Sequence, residues 1–316
     1  MLIPENNRRV AYINEQIESG HADRLVKEGE SYHDDQLTRI ARDICSRAHV
    51  RVALIAGPSS SGKTSTSFKL CLALLEQGKQ PVALSLDNWF VNPEDAPMDE
   101  NGQQDYESVY ALDLKLLSED LRALIAGKEI ALPTFNFITG RREYRGETLR
   151  LDENNILVIE GIHALNPILT QDIDPECKYK IYAAPMSPVS LDGEKWIPTH
   201  VHRLLRRMSR DIRTRGKSPQ ETIALWPSVR DGEAKWIEPF LSEADARFDS
   251  SMTYELPAIR LAIETALQTV PAVSEEYEIA KKLLFYLSFF EPLAPSFIPR
   301  TSILREFIGG SQFNVG

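Results

Sequence analysis

Residues 50–64 read VRVALIAGPSSSGKT, and fold and chemistry both follow from how this stretch is parsed. Its first seven residues form a short, mostly apolar run ending at a glycine, the pattern of a strand buried on both faces of a parallel sheet. Gly57, Pro58, Ser59, Ser60, Ser61, Gly62, Lys63 and Thr64 then satisfy G-x-x-x-x-G-K-[ST] without departure. The glycines let successive N–H groups turn inward around phosphate oxygens, Lys63 reaches the β- and γ-phosphates, and Thr64 offers a hydroxyl to Mg2+. Ser65 belongs to the start of the following helix, whose positive end adds to the seat. The cofactors implied are a nucleoside triphosphate, taken as ATP, and Mg2+.

Working outward, residues 62–77 predict a helix with Gly78 placed to cap it, and residues 82–86 a second buried strand. Strand, helix and strand in this order make a βαβ unit. Residues 112–126 predict another helix stopped by Gly127, while ILVI at 156–159 and residues 179–183 predict further core strands. Helical spacing of apolar residues over 6–18 and 34–48 precedes the first strand, and the tail from about 261 reads as helical to about 290 before Pro292, Pro295 and Pro299. The expectation is an α/β P-loop NTPase fold, three layers around a mostly parallel sheet. Its parts are a helical N-terminal extension (1–49), a core (50–260) with an Arg-rich helical lid at about 199–245, and a helical C-terminal extension packed on the core (261–316).

Bulk properties narrow the function. Hydrophobic residues make up 42% of the 316 and charged residues 26%, so a sizeable core is feasible. A formal charge of -10 argues against a general nucleic-acid binder, which needs clustered Lys and Arg. Cys45, Cys71 and Cys177 are the only cysteines and form no CxxC pair, so neither a disulfide framework nor a zinc site is indicated. MLIPENNRRV at the start lacks the apolar segment of a signal peptide, and residues 283–290 are too short to span a bilayer. The expectation is a cytoplasmic protein whose partner is a small molecule, with neither nucleic acid nor membrane.

Two acids and one basic run frame the loop. Asp87 ends the second strand in LSLDNWF, at the sheet edge that carries the phosphate loop, where a carboxylate can accept the proton of an attacking hydroxyl or initiate a turn. Glu160 follows ILVI directly, the placement of an acid that holds Mg2+ or faces solvent. His163, three residues on, is given no role. The segment HVHRLLRRMSRDIRTRGK (200–217) reverses the overall sign of charge, with Arg203, Arg207 and Arg210 on one helix face. Such a run is either a solvated face or a lid that stabilises a transferring phosphoryl group and excludes water.

In this order GPSSSGKT, LSLDNWF, LPTFNF, ILVIEG and RRMSRDIRTRG resemble the uridine kinase and phosphoribulokinase superfamily over roughly residues 50–260. ALWPSVRDGE and SILREFIGGS look like a bacterial uridine-kinase-like subgroup whose kinase domain follows a region similar to part of threonyl-tRNA synthetase. Without that region the resemblance implies a short or shortened member. It also implies that Asp87 is the catalytic aspartate, with Lys63, Arg207 and Arg210 stabilising charge, and that Arg215 contacts the triphosphate. Phe90, Tyr106, Phe135 and Phe137 would line a nucleoside pocket, Glu107 would hold sugar hydroxyls and Arg207 would touch substrate. Phe135 and Phe137 also alternate as core strand residues do. A base-reading histidine of the family aligns with Gly140, and a lid glutamine with Leu225; Arg141 or Arg142 is the candidate replacement donor. Related kinases often assemble as homo-oligomers.

The activity expected is ATP-dependent phosphorylation of a nucleoside 5′-hydroxyl, uridine or cytidine. The alternatives are a kinase for another metabolite, such as another nucleoside, pantothenate or a pentose phosphate, and a nucleotide-dependent regulatory switch. No NKxD guanine signature or LSGGQ-like segment supports the switch.

Overall fold

Val52–Ala56 (β1) is apolar at every position because both its faces are covered. Ala53 and Ile55 point into one core and Val52, Leu54 and Ala56 into another, as the two-residue period of a strand requires. The computed structural model describes residues 3–98, 102, 104–136 and 139–315. Before β1 lie α1 (Val10–Glu18) and α2 (Ala22–Ser46); after it come α3 (Lys63–Glu76), β2 (Gln80–Ser85), α4 (Leu114–Ile125), β3 (Ile130–Asn136) and β4 (Arg141–Leu149). Then follow β5 (Asn155–Glu160), β6 (Lys178–Ala184), β7 (Val189–Ser190), β8 (Trp196–Ile197), α5 (Thr199–Thr214) and α6 (Pro219–Trp236). β9 (Ala246–Asp249), α7 (Glu255–Leu267), α8 (Tyr277–Leu287) and α9 (Arg305–Ile308) complete the chain.

The central sheet runs β2-β5-β1-β6-β9, parallel at each pairing. Its phosphate-loop edge therefore collects the C-terminal ends of β1, β2 and β5, which is where Gly57, Asp87 and Glu160 fall. One face packs on α2, α3, α5 and the C-terminal helices; the other packs on α4 and Trp89. Each fully buried Ile or Leu in these layers contributes about 1.5–3 kcal/mol.

Several elements differ from the sequence expectation. The helix expected at 34–48 is the second half of α2; its first half buries Glu30 and His33, so the apolar period is interrupted there. The tail is two helices, α7 and α8, parted near Pro271. β9 (ARFD) is too short and polar to be read as a core strand, and the antiparallel pair β3–β4 shows in the sequence only as alternation around Phe135.

Buried ionic contacts tie the layers together. Glu30 of α2 accepts from Lys69 of α3 at 2.9 Å and from the Tyr254 hydroxyl, which also lies 3.0 Å from Ser302 Oγ. Glu255 of α7 pairs with Arg206 and lies 3.0 Å from His202 Nδ1, both of α5, and all three side chains are fully buried. Burial alone would raise the Glu255 pKa; Arg206 and then His202 overcome it and hold it at about 2. A carboxylate depressed from 4.5 stabilises the fold above pH 4.5 and loses that contribution as pH falls towards 2. Glu255→Gln is expected to cost about 3 kcal/mol at pH 7, and the gap to wild type should close between pH 4.5 and 2 in urea unfolding followed over a pH series.

Candidate active site

Loop 57–62 turns sharply between β1 and α3. A Cβ on Gly57 would stand 1.9 Å from the Ala183 carbonyl oxygen of β6, so only glycine fits. Ser60 sits at φ 59°, the left-handed region that non-glycine residues seldom adopt outside functional turns. The surroundings hold this shape through the loop's carbonyl oxygens. Lys63 Nζ donates to Pro58 O (3.1 Å), Arg203 Nη1 to Ser59 O (3.2 Å), and Arg206 Nη1 and Ser250 Oγ to Ser61 O (3.3 and 2.6 Å). Among the described residues, the N–H groups of Gly62, Lys63 and Thr64 meet no acceptor, and the buried Ser60 and Ser61 hydroxyl oxygens have no partner. Outward carbonyls, inward N–H groups and spare buried hydroxyls fit a chain of phosphates.

The loop opens into a cavity of about 430 Å3 that also takes Asp87, Phe90, Glu107 and Glu160. Asp87 lies in the 3-10 turn Leu86–Trp89, its N–H bonded to Ser85 Oγ at 3.3 Å, so the turn and the cavity position coexist. Thr64 Oγ1 donates to Glu160 Oε1 at 3.2 Å, bringing together the two oxygens expected to hold Mg2+. Among the described residues no cluster of three or more His, Cys, Asp or Glu could grip a metal alone, so an ion here would draw its remaining oxygens from phosphate and water.

Enclosure shifts both acids beside the loop and its lysine. Burial pushes Glu160 up to about 7, with the neighbouring Asp87 carboxylate adding to the rise. Asp87 is likewise raised by burial, against the pull of Lys63, Arg215 and Arg210. Lys63 is lowered by burial, although Glu160, Glu306 and Asp87 favour its charge. A cation among acids in a place of low dielectric is the setting of an anion-transfer site.

Three guanidiniums overlook the loop. Arg207 donates to Ser59 Oγ (2.7 Å) and approaches Asp211 at 3.4 Å, while Arg210 and Arg215 approach Asp211 at 3.0 and 3.6 Å. Asp211 is fully buried, and one carboxylate facing three guanidiniums leaves a surplus of positive charge at the cavity mouth. Arg203 instead pairs with the buried Glu233, so its role is to hold the loop rather than to face a ligand.

The far end of the cavity is aromatic. Phe90 packs on Phe135 with ring centroids 5.4 Å apart and edge-on to Tyr106 at 6.3 Å. Glu107 is raised by burial, a shift opposed by Arg207 and reinforced by Glu233. Phe137 lies outside the described residues. Gly140 lines the cavity, but Arg141 does not; it forms a two-pronged pair with Glu94 on the surface, and Arg142 pairs with Asp113. Leu225 faces an adjoining cavity of about 630 Å3 that shares Tyr106, Glu107 and Arg207. His163 is buried and packs edge-on to Trp236.

The model of the phosphoribulokinase / uridine kinase family matches residues 52–257, well over half of the chain. The chain belongs to this family. It is similar to the uridine kinase of Yersinia pestis (strain Pestoides F), 30% identical over 63% of this chain and 87% of that one. The uridine kinase of Macrococcus caseolyticus (strain JCSC5402) is 29% identical over 60% and 84% of the two chains. A solved structure titled as a possible uridine kinase from Bacillus stearothermophilus aligns with a TM-score of 0.45 at 21% identity, covering 68% of this chain and 98% of that one. As a member of the phosphoribulokinase / uridine kinase family the protein is a phosphotransferase acting on an alcohol group of a small molecule, with ATP as donor.

Sequence reading missed Asp211, which gathers the arginines, and Glu306, which enters the cavity from α9. Asp211 had a signal, since it lies four residues from both Arg207 and Arg215 on a helix. Glu306 had none. Gly57→Ala should drive Cβ into Ala183 O, lower stability by roughly 3 kcal/mol in thermal unfolding and abolish ATP binding measured by calorimetry.

Proposed function

We propose that this kinase phosphorylates the 5′-hydroxyl of a nucleoside, uridine or cytidine being the first candidates. The observation that carries the reading is that Asp87 and the loop from Gly57 to Thr64 open into one cavity whose other end is built from Phe90, Phe135 and Tyr106. Two uridine kinases among the relatives support the acceptor class.

In this reading the loop N–H groups and Lys63 hold the β- and γ-phosphates. The base lies among the aromatic rings, and Glu107 accepts from the sugar hydroxyls. Asp87 accepts a hydrogen bond from the 5′-hydroxyl, orients it towards the γ-phosphorus and takes its proton as the new P–O bond forms. The bond from the γ-phosphorus to the β,γ-bridging oxygen breaks, and ADP leaves. Arg207 and Arg210 face the charge that gathers on the equatorial oxygens. Thr64 and Glu160 would hold Mg2+, which when bound supplies charge neutralisation between the β- and γ-phosphates.

A second reading, phosphorylation of another small metabolite, is favoured by one observation. Gly140 offers no side-chain donor where the base edge would lie, while Arg141 and Arg142 are engaged elsewhere. Measuring ADP release against a panel of nucleosides, pantothenate and pentose phosphates separates the two, and a preference for a non-nucleoside would replace the first. With the preferred acceptor, Asp87→Asn should lower kcat by about 100- to 10,000-fold and change KM for ATP less than about threefold in steady-state assays.

A further inference from the structure

The first turn of α3 already answers to an anion supplied by the chain itself. Ser65 N–H and Ser65 Oγ both donate to Glu306 Oε2, at 3.1 and 2.9 Å. Glu306 is 6% exposed and lines the same cavity as Lys63, Asp87 and Glu160. Three residues before it, Ile303 Cγ2 lies 2.4 Å from where a Cβ would stand on Gly62, the last glycine of the loop. The C-terminal segment is thus laid over the junction of loop and helix. α5 holds it there: Arg213 Nη2 donates to Glu306 O at 2.9 Å and Ser209 Oγ to Phe307 O at 3.2 Å. The phosphotransfer chemistry makes no use of this carboxylate.

Helix N-terminal N–H groups favour negative charge, and a triphosphate seated on a loop of this kind draws on them for its α- and β-phosphates. A carboxylate bonded to Ser65 satisfies one orphan donor of α3 but sets a third acid beside Asp87 and Glu160, where an entering phosphate meets both occupation and repulsion. We infer that Glu306 is a built-in competitor for the phosphate seat: the triphosphate and the Glu306 carboxylate contend for Ser65, and ATP binds only as that carboxylate turns away. The motion is confined to a side chain, because Ile303, Leu304 and Phe307 are fully buried in the core. The inference rests on the phosphotransfer reading of the loop.

The test is calorimetric titration of full-length wild type, Glu306→Gln, Glu306→Ala and Lys63→Ala with a non-hydrolysable ATP analogue and with inorganic tripolyphosphate. The analogue should bind Glu306→Ala about tenfold more tightly than wild type and Glu306→Gln severalfold more tightly. Tripolyphosphate should gain by the same factors, because the contest concerns phosphates and not the base; Lys63→Ala should lose both ligands. Thermal unfolding establishes that each variant is folded, and if Glu306→Ala is not, Glu306→Gln decides. Unchanged or weaker affinity in a folded Glu306 variant, beside measurable wild-type binding, overturns this inference alone and leaves Glu306 as a helix cap. Failure of wild type and every variant to bind either ligand overturns the reading of the loop and this inference with it.

Discussion

A backbone loop can present its N–H groups to an anion only if something else takes its carbonyl oxygens. Here that task falls on α5 and its neighbours. Arg203, Arg206 and Ser250 donate to Ser59 O and Ser61 O from behind, and Lys63 folds back to Pro58 O. These guanidiniums are in turn fixed by buried carboxylates, Glu233 for Arg203 and Glu255 for Arg206. Removing either acid would leave an uncompensated buried cation next to the loop, a far larger penalty than losing a surface pair. The strained φ of Ser60 persists because the loop is held from both sides.

The same arrangement divides the arginines of one helix into two trades. Arg203 and Arg206 are spent on structure, whereas Arg207, Arg210 and Arg215 share a single buried carboxylate, Asp211, and keep charge in reserve for a ligand. In the same cavity burial raises the proton affinity of both Asp87 and Glu160, the Asp87 carboxylate adding to the rise at Glu160 and Lys63 opposing it at both. The cavity thus combines an arginine cluster and Lys63 with an acidic pair, which suits a reaction that brings in phosphate charge and asks one carboxylate to accept a proton.

The part of this that was legible in the sequence is the part imposed by backbone chemistry. Gly57, Lys63 and Thr64 cannot be exchanged without losing the seat, and Asp87 lies two residues past the half-buried edge strand β2 while Glu160 ends the buried β5, so strand ends alone placed them at one edge. The partners that complete the site were not legible, because they are joined by packing and not by spacing. Glu233 and Glu306 come from helices far along the chain, and nothing local marks a glutamate as buried. Arg141 illustrates the converse. Its position next to Gly140 made it a candidate donor, yet Glu94, distant in sequence, draws it to the surface.

The contact of Glu30 with Lys69, Tyr254 and, through that hydroxyl, Ser302 joins positions as far apart in sequence as 30 and 302. During synthesis, the segment that becomes α3 leaves the ribosome long before Tyr254 and Ser302 exist. Until they arrive, Glu30 has Lys69, which it shares with Asp34, but not the Tyr254 hydroxyl, and the helix that carries the phosphate seat lacks its cover. Nascent chains of this protein would thus reach nucleotide competence late, only once Tyr254 and Ser302 have emerged.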